Sequence, residues 1–241
     1  MRTLGVIIAR GGSQGLPDKH LLPLMGRPVI EYTFEHARQS ARLTRVVLSS
    51  DCPRILALGR HRGVSTLVRP AELATDEASV QDVLLHTLNE VESSGEFLFD
   101  SVALLYGNVP VRPAGLIDQA LAMLEATGCD SVRSLTPVGK WHPAWMMRLE
   151  GTRIHPLETG SIHRRQDLPT LYLHDGGIVV ASRAALVRAA DSPDDPHAFF
   201  GHDCRGLVAG GPVVEIDQRR DLLLAAAALG ETDQSVLRMA S

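Results

Sequence analysis

Aromatic side chains make up only 4% of the 241 residues, and two of the few are tryptophans four apart, at 141 and 145. No apolar run approaches the ~20 residues of a membrane-spanning helix, so membranes are not among the expected partners. Cys52, Cys129 and Cys204 are odd in number and follow no metal-ligand spacing. That argues against a disulfide framework or a zinc site, and fits buried free thiols in a reducing cytoplasm. Neither sign of charge dominates. The formal net charge of −4 gives no global pull toward nucleic acid, so an anionic ligand has to be met by local cations. Met1-Arg2-Thr3-Leu4 enters a strand pattern at once, leaving no room for a signal peptide.

Strand-like and helix-like segments alternate through the first half. Residues 3–9, 45–49, 64–68, 101–106 and 131–135 read as strands. Helices are expected from 28 to about 40, over 54–62 behind Pro53, from 80 to about 91, and around 116–124. Such repeated βα units predict a single α/β domain over 1–241, a doubly wound, mostly parallel sheet with ligands at the carboxyl ends of its strands. Residues 137–170, rich in Pro, His, Arg and Trp, have no clean period and read as an excursion. The two tryptophans suggest a surface for pairing with a second copy. A strand is expected over 171–181, a helix over 183–190, a last strand over 213–217, and a closing helix through Leu222 and Leu229.

The densest chemistry lies just after the first strand, in Ala9-Arg10-Gly11-Gly12-Ser13-Gln14-Gly15-Leu16-Pro17-Asp18-Lys19-His20. Three glycines and a serine let consecutive N–H groups point into one concavity, with Arg10 and Lys19 on either side, an arrangement suited to a polyphosphate. Neither Gly-x-Gly-x-x-Gly nor a Walker A loop is present. Near the other end, alternation puts Glu215 and Asp217 on one face of the last strand. Two carboxylates there form an oxygen site of the kind that holds Mg²⁺ against phosphates. Arg69 offers a planar fork to a base carbonyl or phosphate. Ser79 is either a nucleotide contact or the cap of the helix starting at Val80.

These motifs carry a family resemblance over most of the chain. The glycine loop resembles the Arg-x-x-Ser-x-Gly-x-Pro-x-Lys loop of sugar-activating nucleotidyltransferases. Arg69-Pro70-Ala71-Glu72-Leu73-Ala74-Thr75-Asp76-Glu77-Ala78-Ser79 is similar to a segment that acylneuraminate cytidylyltransferases use around cytidine. Gly107-Asn108-Val109-Pro110 has the frame of the Gly-Asp-x-Pro of the related deoxyoctulosonate cytidylyltransferases, with Asn108 in place of a metal-binding aspartate. Glu215-Ile216-Asp217 resembles the family's Asp-Ile-Asp, and Arg165-Gln166-Asp167-Leu168-Pro169 its Arg-Gln-x-Leu-Pro.

The resemblance implies a Rossmann-like nucleotidyltransferase fold and transfer of CMP from CTP to the anomeric hydroxyl of a nonulosonic (sialic-acid-like) or related ulosonic acid. Arg10, Lys19 and Asp217 would be catalytic. The nucleotide would lie on Ala9, Arg10, Gly11, Gly12, Ser13, Gly15, Lys19, Arg69, Ser79 and Asn108. Mg²⁺ would lie on Asp217 and Glu215, and the acidic sugar against Tyr106, Arg165, Asp175 and Gly176. His142, in Trp141-His142-Pro143, is a further candidate near the sugar. A homodimer through 137–170 is implied. The sequence departs from the family at Gln14 (lysine), Val80 (a second serine), Tyr106 (glutamine), Asn108 and Leu173 (arginine). Those departures keep two alternatives open: another sugar or polyol as acceptor, or a nucleotide-binding homologue without turnover.

Overall fold

The computed structural model describes residues 1–12, 15–95, 97–158, 162 and 164–231. Seven strands form the central sheet: β1 (Thr3–Ile8), β2 (Arg45–Ser50), β3 (Ser65–Val68), β4 (Ser101–Tyr106), β5 (Ser131–Pro137), β6 (Tyr172–Ser182) and β7 (Cys204–Val208). Their order across the sheet is β7-β5-β6-β4-β1-β2-β3. All neighbours pair in parallel except β6, which runs antiparallel to both β4 and β5. β1 and β4 lie at the centre and are apolar on both faces, as a sheet covered on both sides requires.

Helices α1 (Val29–Gln39), α2 (Pro53–His61) and α4 (Leu116–Thr127) cover one face, through Ile30, Phe34, Ile55 and Leu121. Helices α3 (Val80–Ser93) and α5 (Arg183–Arg188) cover the other, through Leu84, Leu88 and Leu186. A third apolar cluster joins Leu16, Val29, Val111 and Ile216 with Ala225 of α6 (Arg219–Glu231). No helix among the described residues is long and apolar enough to cross a membrane.

Two features depart from the sequence expectation. Residues 213–217 do not form a sheet strand. They run extended beside the loop after β4, with a bridge between Val111 and Val214 and a bond from Ile216 N–H to Asn108 O (2.8 Å). Burying Ile216 in the third cluster is what draws this segment away from the sheet. The edge position is taken by β7, a short, mostly exposed strand carrying Gly206 at its centre, a composition that gives little strand signal. Among the described residues, those between Pro137 and Leu171 do leave the sheet, with short 3₁₀ turns at Pro143–Trp145 and Arg165–Asp167 and a hairpin of Met147–Glu150 with Arg153–Pro156. The cysteines are all unpaired, but only Cys129 is buried. Cys52 is half-buried and Cys204 exposed, so the expectation of buried thiols holds for one.

Candidate active site

The carboxyl ends of β1 and β4 open into a cleft of about 250 Å³, lined among others by Arg10, Lys19, His20, Arg69, Asn108 and Glu215. Residues far apart in the chain meet at one side of it. Lys19 Nζ donates to Asp217 Oδ1 (2.8 Å) across 198 positions. A Cβ on Gly15 would lie 3.2 Å from the Asp217 carbonyl, so the glycine allows the loop to lie against the carboxylate segment. The side chain of Asn108 completes the junction: Nδ2 faces Glu215 Oε1 (3.1 Å), Ile216 O (3.1 Å) and Asp217 Oδ1 (3.3 Å). Two carboxylates thus share one amide. Glu215 as a residue keeps solvent exposure, but its carboxyl packs against Asn108 and Gly176; this desolvation, then the charge of Asp217, pushes its pKa up.

The glycine loop reaches the cleft through Ala9 and Arg10. Arg10 is ion-paired with Asp76, which ties the loop to the segment before α3. The Gly11 N–H donates to Asp51 Oδ1 (2.9 Å), so this donor, expected for phosphate, is turned toward a carboxylate. Gly12 is exposed; Ser13, expected to contact nucleotide, and Gln14 lie outside the described residues. Arg69 lines the cleft but spends Nε and Nη2 on Ser49 Oγ (3.2 Å) and Ser49 O (2.9 Å). Burial lowers its pKa to about 10.

The side facing Tyr106 and Glu215 is built by an irregularity in β6. Pairing with β5 shifts register between His174 and Val179, and Asp175-Gly176-Gly177 swings out of the ladder. Gly176 has φ +72°, and a Cβ there would lie 3.2 Å from Glu215 Oε2 and 3.9 Å from Tyr106 Cδ2. Glycine is therefore required by conformation and by space. Asp175 Oδ1 accepts from Gly177 N–H (2.9 Å) and Ser134 Oγ, while Oδ2 is buried with no partner. Burial, then the charge of Glu215, raises the pKa of the Tyr106 hydroxyl.

Three expected site residues stand elsewhere. Ser79 is the helix cap: Oγ accepts from Asp82 N–H (3.0 Å), and the residue does not line the cleft. Arg165 is exposed on a short 3₁₀ turn and does not line the cleft either, because the excursion carries it off the sheet. His142 is buried, and its Nδ1 accepts from Ala144 N–H (3.1 Å), again a capping role.

Two residues beyond the expected set hold the site together. Arg112, buried on the loop after β4, donates to Gly177 O (2.7 Å), Tyr106 O (2.8 Å), Val109 O (2.6 Å) and Thr33 Oγ1 (3.0 Å). It thereby clamps the β6 bulge to the end of β4. Burial lowers its pKa to about 9, with Glu215 and Asp175 opposing the shift. His20 is buried in the floor of the cleft, where burial and Lys19 hold its pKa at about 3 and keep it neutral. The only sequence signal for these residues was proximity: His20 closes the glycine loop, and Arg112 follows the Gly-Asn-Val-Pro frame.

Residues 4–174 match the cytidylyltransferase family. An N-acylneuraminate cytidylyltransferase of Streptococcus agalactiae serotype V is 33% identical over 192 residues, 78% of this chain and 45% of the relative. The chain thus spans less than half the length of that relative. A CMP-N,N'-diacetyllegionaminic acid synthase of Legionella pneumophila is 30% identical over 199 residues, 81% of this chain and 84% of the relative. A solved CMP:2-keto-3-deoxy-manno-octonic acid synthetase complexed with CTP shares the fold with a TM-score of 0.71 at 21% identity, covering 96% of this chain and 100% of the other. The match over residues 4–174 and the relatives that accompany it establish that the chain belongs to the cytidylyltransferase family.

Proposed function

We propose that this chain transfers CMP from CTP to the anomeric hydroxyl of a nonulosonic, sialic-acid-like or related ulosonic acid and releases pyrophosphate. The observation that carries the reading is the junction of Lys19, Asn108, Glu215 and Asp217 beside a glycine loop and a cleft lined by Arg10 and Arg69. Arg10 and Lys19 offset triphosphate charge, and backbone N–H groups of the glycine loop donate to phosphate oxygens. The chemistry is an in-line displacement at the α-phosphorus, for which the protein supplies alignment and charge rather than a covalent intermediate.

Glu215 and Asp217 fit Mg²⁺. They are oxygen ligands drawn onto one amide, and burial, followed by the charge of Asp217, raises the Glu215 pKa. No group of three or more His, Cys, Asp or Glu suited to a metal occurs among the described residues. That agrees with an ion whose remaining ligands are water and phosphate. Bound there, the cation would supply charge neutralisation on the phosphates. Tyr106, Asp175 and Gly176 face the acceptor.

The hairpin excursion exposes Trp141, Met147, Leu149 and Ile154, which supports a homodimer through 137–170 that would also bring Arg165 to a neighbouring site. The unpaired cysteines support a reducing, cytoplasmic setting.

The test is pyrophosphate release from each nucleoside triphosphate against a panel of acidic and neutral sugars. Mg²⁺-dependent release from CTP with a ulosonic acid is expected. Turnover confined to a neutral acceptor, or CTP binding with no release under any acceptor, would overturn the reading.

A further inference from the structure

A second cavity, of about 210 Å³, adjoins the nucleotide cleft and shares Val80 and Tyr106 with it. Its other walls include Arg133, His174, His197, Phe199 and Phe200. Arg133 is in an unusual place for a cation. It lies within β5, opposite Val179 of β6 on one side and Gly206 of β7 on the other. Its neighbour Val132 packs with Val180 in the core under α1, α2 and α4. Strand alternation therefore turns Arg133 to the opposite face, the one on which Val179, Leu186 and Phe199 are buried.

Arg133 is half-buried on this core-facing position, and a guanidinium drawn partly out of water is costly without hydrogen bonds. Here the compensation from the protein is small. Cζ stands 4.2 Å from the centroid of the Phe200 ring, and His197 stacks on that ring at 5.5 Å. Nε is buried and has no hydrogen-bond partner, and no ion pair of the described residues includes Arg133. The planar fork is thus available to a planar anion entering the cavity, and a carboxylate matches it in shape and charge.

We infer that Arg133 receives the carboxylate of the acceptor acid, in a pocket that opens off the nucleotide cleft across Tyr106. The inference rests on the function proposed above and adds the residue that selects an acidic acceptor. In a 2-ulosonic acid the carboxylate and the reacting hydroxyl share one carbon, so the cation that holds the acid must lie beside the site of attack. Tyr106 provides that adjacency, since it lines both the cleft that holds Glu215 and the cavity that holds Arg133. The assignment also accounts for selectivity without Arg165, which is exposed on the excursion, and without an arginine at Leu173.

The test compares wild-type protein with Arg133→Met, which keeps the apolar stem, and Arg133→Lys, which keeps the charge. Binding of N-acetylneuraminate, N,N'-diacetyllegionaminate and 3-deoxy-octulosonate, and of the methyl ester of each, is measured by calorimetry in the presence of CTP. At least one free acid should bind wild type more tightly than its ester. Arg133→Met should lose on the order of 30-fold in that affinity and the discrimination with it, the loss expected when one partner of a buried charged pair is removed. Arg133→Lys should recover part of it, and CTP affinity should stay unchanged in both. Equal binding of acid and ester by wild type, no binding of any acid, or an Arg133→Met variant that keeps the preference would overturn the inference.

Pyrophosphate release, recorded on the same samples, scores the proposed function separately. Turnover with an acid whose KM ignores Arg133 sinks the inference and leaves the function standing. Arg133-dependent acid binding without turnover does the reverse.

Discussion

Replacing Asn108 by aspartate tests the idea that the carboxylate pair is built for a cation. The Asn108 side chain is 3% exposed, so a carboxylate there gains little from solvent. Its amide nitrogen lies 3.1 Å from Glu215 Oε1 and 3.3 Å from Asp217 Oδ1. A negative charge at that point would repel each neighbour by about 5 kcal/mol at an effective dielectric constant near 20. Taking up a proton is cheaper: holding a carboxyl protonated at pH 7, roughly three units above its ordinary pKa, costs about 4 kcal/mol. The protein takes that route, so the destabilisation of Asn108→Asp is capped near 4 kcal/mol at pH 7. The sign follows from linkage. The folded variant binds more protons than the unfolded chain, so stability falls as pH rises above the ordinary carboxylate range, at about 1.4 kcal/mol per unit. Denaturant unfolding in chelator should therefore show a deficit against wild type at pH 7 that shrinks toward pH 5. Millimolar Mg²⁺ should restore more stability to the variant than it adds to wild type, because three carboxylates then surround the ion. Equal stability of the two proteins in chelator at pH 7, or an equal Mg²⁺ increment in both, would show that the pair is not built for a cation.

Two further outcomes follow from side chains with one clear role each. His36 accepts from the buried Arg112 guanidinium through Nδ1 (3.2 Å), and burial together with Arg112 lowers its pKa to about 3. The unfolded chain takes a proton near pH 6.5 that the folded protein refuses, so stability should fall as pH drops from about 6.5 toward 3; in His36→Gln that slope should lessen by up to about 1.4 kcal/mol per unit, as read from unfolding midpoints across the window. Ser79→Ala should cost about 1 kcal/mol of stability, the value of an N-cap, and leave the KM for CTP unchanged; a rise in that KM without loss of stability would restore Ser79 to the nucleotide site.

The parts of the molecule legible in the sequence are those where local pattern and tertiary role agree. β1, β2 and β4 are apolar runs bounded by polar or glycine residues, and α3 shows its helical period between Val80 and Val91. Alternation does not reveal direction, so β6 reads correctly as a strand while its antiparallel course stays hidden. The segment 213–217 alternates like a strand but pairs with the loop after β4, because what a strand pairs with is decided by contacts outside it. β7 shows the converse: an exposed sequence around Gly206 becomes a strand because β5 offers an open edge. Arg133 is the hardest case. A cation in the middle of a strand reads as solvent-facing, and only the packing of Phe199 and Phe200 over that face reveals it as half-buried beside a cavity.

The active-site geometry depends on apolar packing more than on its own polar contacts. The Lys19–Asp217 pair is partly exposed, with Asp217 at 58% side-chain accessibility, and such pairs contribute about 1 kcal/mol or less. That cannot by itself hold a loop near position 15 against a segment 200 residues later. Ile216, fully buried beside Leu16 and Val29, supplies a larger share, since burying a side chain of this size is worth roughly 1.5–3 kcal/mol. Flanking Ile216, Glu215 and Asp217 are then held with their carboxylates close together at the mouth of the cleft before any ligand arrives. The repulsion between them, which adds to burial in raising the pKa of Glu215, is thus sustained by hydrophobic burial on the residue between. A cation that relieves this repulsion gains binding energy from a pair already assembled, which is the physical content of a preorganised site.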